Sequence, residues 1–309
     1  MRGAEVIVVG AGHNGLICAA YLARAGVDTV VVESRDDVGG VTSTVSAMGS
    51  RFNVCNCDHS LIRAMPIIDE LDLGSHGLEY LAPEVGLVNM FHDRAQPWLM
   101  FHDTDRTLDA LAVTYPRQVE PYRRYLRDAL PVAELVLEIA RVPPGARSIL
   151  EAGLVAGRGR AAARLLAWSR RSATDVLSRY FDDWHMSMPA ISTGPTMWGA
   201  SPDDRGTGLA AIGHAMRHVV RSGRPRGGSG ALTHAIRGSF EAAGGRVRCA
   251  SAVDRLLVSG GRARGVGLTD GTELTASVVV SACDPRAVLV DWIREPPPAA
   301  RRLARRWRR

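Results

Sequence analysis

The sequence predicts an α/β protein, and three observations near its beginning carry that prediction. Residues 6–9 are a short run of β-branched residues, as expected for a strand buried on both faces of a parallel sheet. The pattern Gly-x-Gly-x-x-Gly follows directly over residues 10–15, and residues 16–24 have the apolar spacing of a helix. A second apolar run over residues 27–32 ends in Glu33. Together these segments predict a strand–helix–strand unit of the kind that binds dinucleotides.

Each glycine of this pattern has a separate task in such a unit. Gly10 permits a tight turn, Gly12 lets the backbone approach a pyrophosphate, and Gly15 lets the helix pack closely against the strand. The helix presents free N–H groups and the positive end of its dipole, which contributes about 0.3–1 kcal/mol toward a bound phosphate. The remaining residues of the fingerprint, which we also expect to border the cofactor, are Ala11, His13 and Asn14.

Glu33 is placed to recognise the ribose of the dinucleotide. It stands at the tip of the second predicted strand, where a carboxylate can accept hydrogen bonds from the two ribose hydroxyls. A carboxylate at this position also repels a 2′-phosphate. The sequence therefore disfavours NADP and leaves FAD and NAD.

The residues after the second strand bear on the choice between FAD and NAD. Ser34 and Arg35 are followed by a second glycine pair, Gly39 and Gly40, and by Val41. A glycine pair there allows close backbone approach to the pyrophosphate and ribityl chain of a flavin, and Arg35 adds positive charge nearby. An NAD site requires nothing special at these positions, so the pattern favours FAD.

The two glycine elements resemble those of a known family. The segments Gly10-Ala11-Gly12-His13-Asn14-Gly15-Leu16 and Arg35-x-x-x-Gly39-Gly40 resemble the phytoene desaturase (phytoene dehydrogenase-related) FAD oxidoreductases. The His-Asn pair inside the fingerprint is most similar to the branch of carotene-ketolase-like and pyridine nucleotide-disulfide oxidoreductase domain 2-like proteins. The resemblance covers residues 4–83 and 200–290 closely and the middle loosely, and it implies FAD as the cofactor.

The resemblance implies a FAD-type Rossmann-like dinucleotide-binding domain with an inserted mixed α+β substrate or cap domain. We expect the FAD-binding domain to comprise residues 1–83 and 226–290, and the inserted domain to comprise residues 84–225. Residues 291–309 are expected to form a basic C-terminal helix that starts a segment which the family continues. At 309 residues the chain is long enough for two such domains.

The inserted domain has one predicted hairpin and several predicted helices. Residues 85–92 and 98–102 are expected to pair as two strands. Residues 108–141 have a helical pattern that we expect to be interrupted at Pro116, Pro121 and Pro131. Residues 149–168 mix apolar residues with arginines, which is typical of a solvated basic face or of peripheral contact with an anionic membrane.

Strands are predicted to return near residue 245. A Gly-Gly-x-Gly element at residues 227–230 precedes a helix, and in the family this element leads back to the FAD-binding domain. Short runs between residues 246 and 276 predict strands joined by a turn at Asp270-Gly271, and residues 278–282 predict a further buried strand. The strand that holds Val253 resembles one whose backbone contacts the adenine of FAD.

Composition excludes some classes of chemistry. All 38 residues counted as lysine or arginine are arginine, so a Schiff-base or lysine general-base mechanism is excluded. The five cysteines form no Cys-x-x-Cys pair, which argues against a dithiol reductase. The net charge of +6 leaves contact with an anionic partner open.

We predict no metal site and name no catalytic acid or base. Cys55-x-Cys57-x-His59 has the spacing of no common zinc module. His59, His185 and His214 are single histidines, which are more often packed or solvated than catalytic. No signal peptide opens the chain and no apolar stretch is long enough to span a bilayer. We therefore expect a cytoplasmic protein, with peripheral membrane contact left open.

The resemblance implies a FAD-dependent oxidoreductase of the desaturase or dehydrogenase type that acts on a lipophilic, carotenoid- or isoprenoid-like molecule. No segment after Asp284 resembles the family's final flavin-covering element, so a C-terminally truncated chain is expected, and a partner chain that supplies the cover is left open. The alternatives are a truncated FAD-binding member without turnover, an NAD-dependent dehydrogenase, and a binding module whose arginine-rich tail contacts nucleic acid or anionic lipid. Nucleic acid is disfavoured because no stacking aromatics alternate with these arginines.

Overall fold

The structure is a computed structural model that describes residues 3–142, 145, 151, 158–192, 196, 199–293 and 296–307. The chain divides into two compact units. The first unit comprises Met1–His59, Pro66–Leu81 and Arg224–Arg309, and the second comprises Ser60–Met65 and Ala82–Gly223. The predicted division differs at four places: residues 60–65 and 82–83 group with the second unit, and residues 224–225 and 291–309 group with the first.

Strands and helices have the following bounds in the described residues. The strands are β1 (Ala4–Val9), β2 (Thr29–Val32), β3 (Thr44–Ala47), β4 (Ser50–Asn53), β5 (Tyr80–Leu81), β6 (Val85–Asn89), β7 (Trp98–Phe101), β8 (Arg224–Pro225), β9 (Arg246–Arg248), β10 (Val253–Ser259), β11 (Arg262–Leu268) and β12 (Glu273–Ser281). The helices are α1 (His13–Arg24), α2 (Ser60–Ala64), α3 (Ile67–Glu70), α4 (Thr104–Thr114), α5 (Val119–Arg141), α6 (Gly159–Trp168), α7 (Ala173–Leu177), α8 (Trp184–Ser192), α9 (Gly213–Val219), α10 (Gly230–Ala242) and α11 (Pro298–Trp307). Short 3-10 turns occupy Pro116–Gln118 and Gly208–Ile212, and a π-helical segment occupies Ala287–Trp292.

The first unit is built on a six-stranded sheet in the order β10-β11-β12-β1-β2-β9. β1 lies between β12 and β2 and runs parallel to both, and β9 runs parallel to β2. β10, β11 and β12 are joined by antiparallel pairing. Ile7 and Val9 of β1 and Val30 and Val32 of β2 are buried in a core that they share with apolar residues of β11 and β12. Their β-branched side chains pack well on such a pleated surface. The predicted α/β fold is confirmed.

Two helices of the first unit pack against each other beside this sheet, α1 after β1 and α10 before β9. Leu16, Ala19, Ala20 and Ala23 form the buried face of α1, and their spacing is that of one helical face. Three of these residues are alanines, so the helix can approach its neighbours closely. The βαβ unit expected from the fingerprint is therefore present.

The second unit has an aromatic core. The hairpin of β6 and β7 forms as predicted, with Asn89 opposite Trp98. Trp98 is fully buried, and Tyr122 and Tyr125 of α5 are fully buried in the same cluster. Large aromatic side chains contribute much of the apolar area in such a core. This unit corresponds to the mixed α+β insertion that the sequence predicted.

Only one of the three prolines expected to interrupt the helical pattern does so. Pro116 begins a 3-10 turn between α4 and α5. Pro121 lies in the first turn of α5, where its missing N–H has no intrahelical acceptor to lose. Pro131 lies inside α5, between the buried residues Ala129 and Val132, and the helix continues past it to Arg141. Packing of α5 into the core outweighs the local helix-breaking tendency of that proline.

Two other predictions need comment: the strand predicted at residues 278–282 differs from the structure, and the helix predicted at residues 149–168 lies partly outside the described residues. Residues 278–282 are predicted to form a buried strand of their own, but residues 273–281 form the single strand β12 and Val278 is 50% exposed. A run of valines fits a strand with one covered face as well as one with two. Of the predicted helix at 149–168, only Gly159–Trp168 is described as α6, and residues 149, 150 and 152–157 lie outside the described residues.

Candidate dinucleotide site

The glycine fingerprint forms the turn between β1 and α1. Gly10 has a φ of +99°, a backbone conformation that only glycine adopts without strain. A Cβ on Gly15 would lie 2.0 Å from the carbonyl oxygen of Gly10, so any side chain there would push the helix off the turn. Gly12 is the N-cap residue of α1 and has extended backbone geometry, with φ −71° and ψ 171°. The tight turn at Gly10 and the close packing at Gly15 are those that the spacing predicted, and Gly12 lies at the helix start where a pyrophosphate is expected.

The second glycine pair lies directly against the first turn. The backbone N–H of Gly39 donates to the carbonyl oxygen of Ala11 over 2.9 Å, and Gly39 forms a parallel bridge with Gly12. Gly40 has a φ of +57°, and a Cβ on it would lie 3.2 Å from the Cα of Gly12. Close backbone approach of the two elements therefore depends on glycine at position 40, where a side chain would crowd Gly12.

The carboxylate of Glu33 faces the fingerprint turn. Glu33 follows β2 and is 8% exposed, and its Oε2 accepts a hydrogen bond from the backbone N–H of Ala11 over 2.8 Å. Its Oε1 accepts from the Ser34 hydroxyl over 3.1 Å and from the backbone N–H of Arg35 over 3.0 Å. A carboxylate has about four lone-pair sites, so this arrangement leaves capacity for a further donor. The acid is held beside the glycine turn, as the ribose hypothesis requires.

The strand that holds Val253 is brought to the same place by backbone pairing. The N–H of Glu33 donates to the carbonyl oxygen of Arg248, and the N–H of Ser251 donates to that of Glu33 over 2.7 Å. Val253 begins β10 two residues later, and its half-buried side chain packs against the core of the first unit. The start of β10 is therefore two residues from the backbone contact to Glu33, and Val253 is paired there with Leu268 of β11.

Three predicted residues lie at the margin of the site. Asn14, the second residue of α1, is exposed, and Val41 is 55% exposed. The guanidinium of Arg35 donates to the carbonyl oxygen of Gly40 over 3.1 Å. Arg35 therefore ties the loop after β2 to the second glycine pair in addition to placing positive charge beside it.

Thr42 is a residue of this site that the pattern did not reveal. It is fully buried, and its hydroxyl shares a hydrogen bond of 3.2 Å with Nδ1 of His13, the first residue of α1. Burial lowers the pKa of His13, so the neutral ring is favoured at neutral pH. The contact connects the start of α1 to the segment after Gly40. Only its position just after the second glycine pair would have pointed to Thr42.

A second helix start is held by side chains of the hairpin formed by β3 and β4. The backbone N–H of Gly230, at the start of α10, donates to Oγ1 of Thr44 over 2.9 Å. The N–H of Ser229 donates to Oδ1 of Asn53 over 2.8 Å, and Thr44 donates to the same atom over 2.9 Å. The Gly-Gly-x-Gly element thus returns the chain to the first unit, as the resemblance implied. The capping residues Thr44 and Asn53 were not predicted.

This geometry suits a dinucleotide. Gly12 provides no side-chain cap for α1, so the first N–H groups of that helix are left available for an anion. Gly12 and Gly40 place no side chains at their close approach, and Glu33 supplies an acceptor beside the same turn. Phosphate at the helix and a ribose diol at the carboxylate match these groups in chemistry.

The three histidines considered as catalytic candidates each form hydrogen bonds to other residues of the protein. His214 is 1% exposed, its Nε2 donates to the carbonyl oxygen of Met186 over 2.8 Å, and burial lowers its pKa to about 4. His59 is 2% exposed and shares a hydrogen bond of 3.0 Å with the hydroxyl of Tyr80. His185 lies between two aspartates. In the described part of the chain, no set of three or more histidine, cysteine, aspartate or glutamate side chains is arranged to hold a metal ion.

None of the helices in the described ranges is both long enough and apolar enough to cross a bilayer.

Comparisons with known proteins identify the family of the chain. Residues 15–308 match the family described as flavin containing amine oxidoreductase. Pyridine nucleotide-disulfide oxidoreductase domain-containing protein 2 of Mus musculus is 29% identical over 316 residues, which cover 93% of this chain and 54% of that protein. Phytoene desaturase (lycopene-forming) of Pantoea ananas is 27% identical over 300 residues, covering 95% of this chain and 58% of that protein.

Solved structures show the same fold. Wild-type putrescine oxidase bound to putrescine superimposes with a TM-score of 0.62 at 19% identity, covering 98% of this chain and 63% of that one. The chain spans about half the length of the curated relatives it matches. The resemblance drawn from the two glycine elements is confirmed, and so is the flavin-type fold. The chain therefore belongs to the flavin-containing amine oxidoreductase family, and its cofactor is FAD.

Proposed function

We propose that the chain acts as a FAD-dependent oxidoreductase of the desaturase or dehydrogenase type. The observation that carries the proposal is the placement of the Glu33 carboxylate against the Ala11 N–H, beside a helix start that no side chain caps. FAD, when bound, supplies the acceptor for a hydride or for electrons. The residues of the chain supply binding, orientation and exclusion of water.

Five of the predicted positions have a specific task in this proposal. The N–H groups that follow Gly12 at the start of α1 bind the pyrophosphate, and Glu33 accepts hydrogen bonds from the adenosine ribose. The backbone at Val253 borders the adenine. Gly40 and Arg35 border the phosphates and the ribityl chain, where a side chain at position 40 would meet Gly12.

The proposed substrate is lipophilic and carotenoid- or isoprenoid-like. This part rests on the printed names of relatives, which include phytoene desaturases and a limonene dehydrogenase chain of Castellaniella defragrans. Phytoene and limonene are unsaturated hydrocarbons without charged groups, so binding must come from burial of apolar area, at about 25 cal/mol per Å². The second unit is the proposed location of that binding.

The test is an absorbance spectrum of the purified chain, with any released cofactor identified. A yellow protein that releases FAD and is bleached by a carotenoid or monoterpene supports the whole proposal. A yellow protein that a chemical reductant bleaches but no hydrocarbon does supports FAD binding alone and contradicts turnover. A colourless protein that does not take up added FAD but binds NADH would overturn the proposal in favour of a nicotinamide enzyme.

A further inference from the structure

In the second unit, the imidazole of His185 lies between two carboxylates. Its Nδ1 is 2.6 Å from Oδ1 of Asp183, and its Nε2 is 2.8 Å from Oδ2 of Asp93. His185 is the second residue of α8, whereas Asp93 lies in the turn between β6 and β7. Only 13% of the His185 side chain is exposed, whereas the Asp93 side chain is 38% exposed, so the contact to Asp183 is the better shielded of the two. The ring therefore joins the turn to the start of α8.

Aromatic rings enclose the same imidazole. The indole of Trp184 stacks on it, with ring centres 4.0 Å apart and an angle of 29° between the planes. Phe91 meets it edge-on at 4.6 Å, and the ring of Tyr115 lies 5.9 Å away. An aromatic face attracts a cation, by about 0.5–1 kcal/mol at exposed sites and more where water is excluded. The surroundings of His185 therefore suit an imidazolium.

The number of N–H donors on the His185 ring determines whether it can hydrogen-bond to both carboxylates. An imidazolium has two N–H donors, whereas a neutral imidazole has one donor and one acceptor. Because a carboxylate faces each nitrogen, only the charged ring satisfies both contacts. Burial lowers the pKa of His185, but the hydrogen bonds and charges of Asp183 and Asp93 outweigh burial and raise it above the ordinary value.

The titratable groups that face His185 come from each element packed against it. Asp93 and His92 belong to the turn, with His92 tilted against Trp184 at 5.5 Å. Tyr115 follows α4, and its hydroxyl donates to the turn at the carbonyl oxygen of Gln96. Asp183 belongs to the same segment as His185. The two carboxylates are the groups that hydrogen-bond the ring.

We propose that Asp93, His185 and Asp183 form a pH-sensitive clasp, which holds the β6–β7 turn against α8 while His185 is protonated and releases the turn when His185 is neutral. Asp183 stays in place in either state, because it is two residues away and also accepts the backbone N–H of His185 over 3.0 Å. Asp93 is 92 residues away in sequence and its side chain is 38% exposed. The contact to Asp93 is therefore the one that opens as pH rises.

Hydrogen exchange of the intact chain, followed by mass spectrometry and corrected for intrinsic exchange rates, tests the clasp. Peptides over residues 88–98 are compared between about pH 6, which lies below the raised pKa of His185, and about pH 9, at which the ring is expected to be neutral. We expect exchange in the turn to become about tenfold faster at the higher pH, which corresponds to about 1.4 kcal/mol. Equal protection of the turn at both pH values would overturn the proposal.

Two variants and a control locate the effect. His185→Gln keeps hydrogen-bonding atoms but cannot carry the proton, so its turn is expected to exchange fast at both pH values. Asp93→Asn is expected to do the same. The control is His234→Gln, because His234 also pairs with an aspartate, Asp37 at 3.2 Å, but is 54% exposed and lies in the first unit.

The control is expected to keep the pH-dependent exchange of the turn. A transition that persists in His185→Gln assigns the pH dependence to another group and contradicts the clasp. If either variant does not fold, the comparison of turn exchange at the two pH values in the unsubstituted chain still tests whether the turn is released as pH rises.

Discussion

Oε2 of Glu33 and the backbone N–H of Ala11 are joined by a hydrogen bond of 2.8 Å, so the acid at the end of β2 is fixed against the turn that follows β1. The two residues follow neighbouring parallel strands of one sheet, at their carboxyl ends. Ligands of α/β proteins bind at that edge of the sheet. The contact thus orients the carboxylate before any ligand arrives.

We expect Glu33→Gln to weaken FAD binding by about 10- to 100-fold, because hydrogen bonds to a charged group contribute about 1.5–3 kcal/mol. The amide still accepts from Ala11 but attracts the ribose hydroxyls less. Quenching of FAD fluorescence on titration measures the affinity. Glu5→Gln is the matched control, since Glu5 accepts the backbone N–H of Asp28 over 3.0 Å on the other end of the same strands. An unchanged affinity in Glu33→Gln contradicts the assigned role.

Gly15→Ala is expected to destabilise the first unit by about 1–3 kcal/mol and to impair FAD retention, as overpacking does in a tight interior. The added Cβ would meet the carbonyl oxygen of Gly10 at 2.0 Å, and backbone cannot move aside as a flexible side chain can. Thermal unfolding measures the loss. Gly74→Ala serves as the control, because no heavy atom lies within 4 Å of a Cβ there. Equal melting temperatures for the two variants would refute the proposed steric role of Gly15.

Stability of the second unit is expected to fall with acidification through His214. Burial lowers the folded-state pKa to about 4 from the ordinary value of 6.5, so below about pH 6.5 the unfolded chain takes up a proton that the folded chain does not. The free energy of unfolding then drops by about 3 kcal/mol as pH falls from about 6.5 to about 4. Above that range this histidine contributes no pH dependence.

Urea unfolding at several pH values between these limits gives the slope of stability against pH. His214→Gln cannot take up the proton, so its slope is expected to be flatter than that of the unsubstituted chain even if its stability is lower throughout. Parallel slopes in the two proteins would assign the acid sensitivity to other groups.

Thr44→Val is expected to destabilise the start of α10 by about 1 kcal/mol, the usual loss when a helix-capping side chain is removed. Oγ1 of Thr44 accepts the N–H of Gly230 and donates to Asn53, and valine replaces that hydroxyl at nearly constant volume. Thr44→Ser keeps the hydroxyl and is expected to remain close to the parent in chemical unfolding. If the serine variant is as unstable as the valine variant, loss of the capping hydroxyl is not the cause of the destabilisation.

The parts of the fold that the sequence predicted are those set by neighbouring residues. The turn at Gly10, the helix after it and the acid at Glu33 lie within one βαβ unit, where hydrophobic period and glycine spacing act over a few residues. The β6–β7 hairpin was predicted for the same reason. The match to the flavin containing amine oxidoreductase family, over residues 15–308, then confirmed FAD.

The parts that were missed depend on contacts between distant residues. Thr44 meets Gly230 across 186 positions, and no local pattern marks a threonine that will cap a helix so far along the chain. Pro131 lies inside a helix because the core around α5 outweighs its local preference. Val278 belongs to a valine run that is typical of a buried strand, yet its exposure depends on what covers that face of β12.

β12 also has a consequence for biosynthesis. β12 pairs with β1 on the side opposite β2, with Val6 beside Val278 and Val9 beside Ser281. During synthesis, β1 can therefore form this pairing only after some 270 further residues have been made. In a nascent chain that has not yet emerged past Ser281, β1 can pair with β2 but not with β12. Folding of the FAD-binding unit is therefore completed late in synthesis, whereas the second unit, whose segments have all been made by Gly223, can fold while synthesis continues.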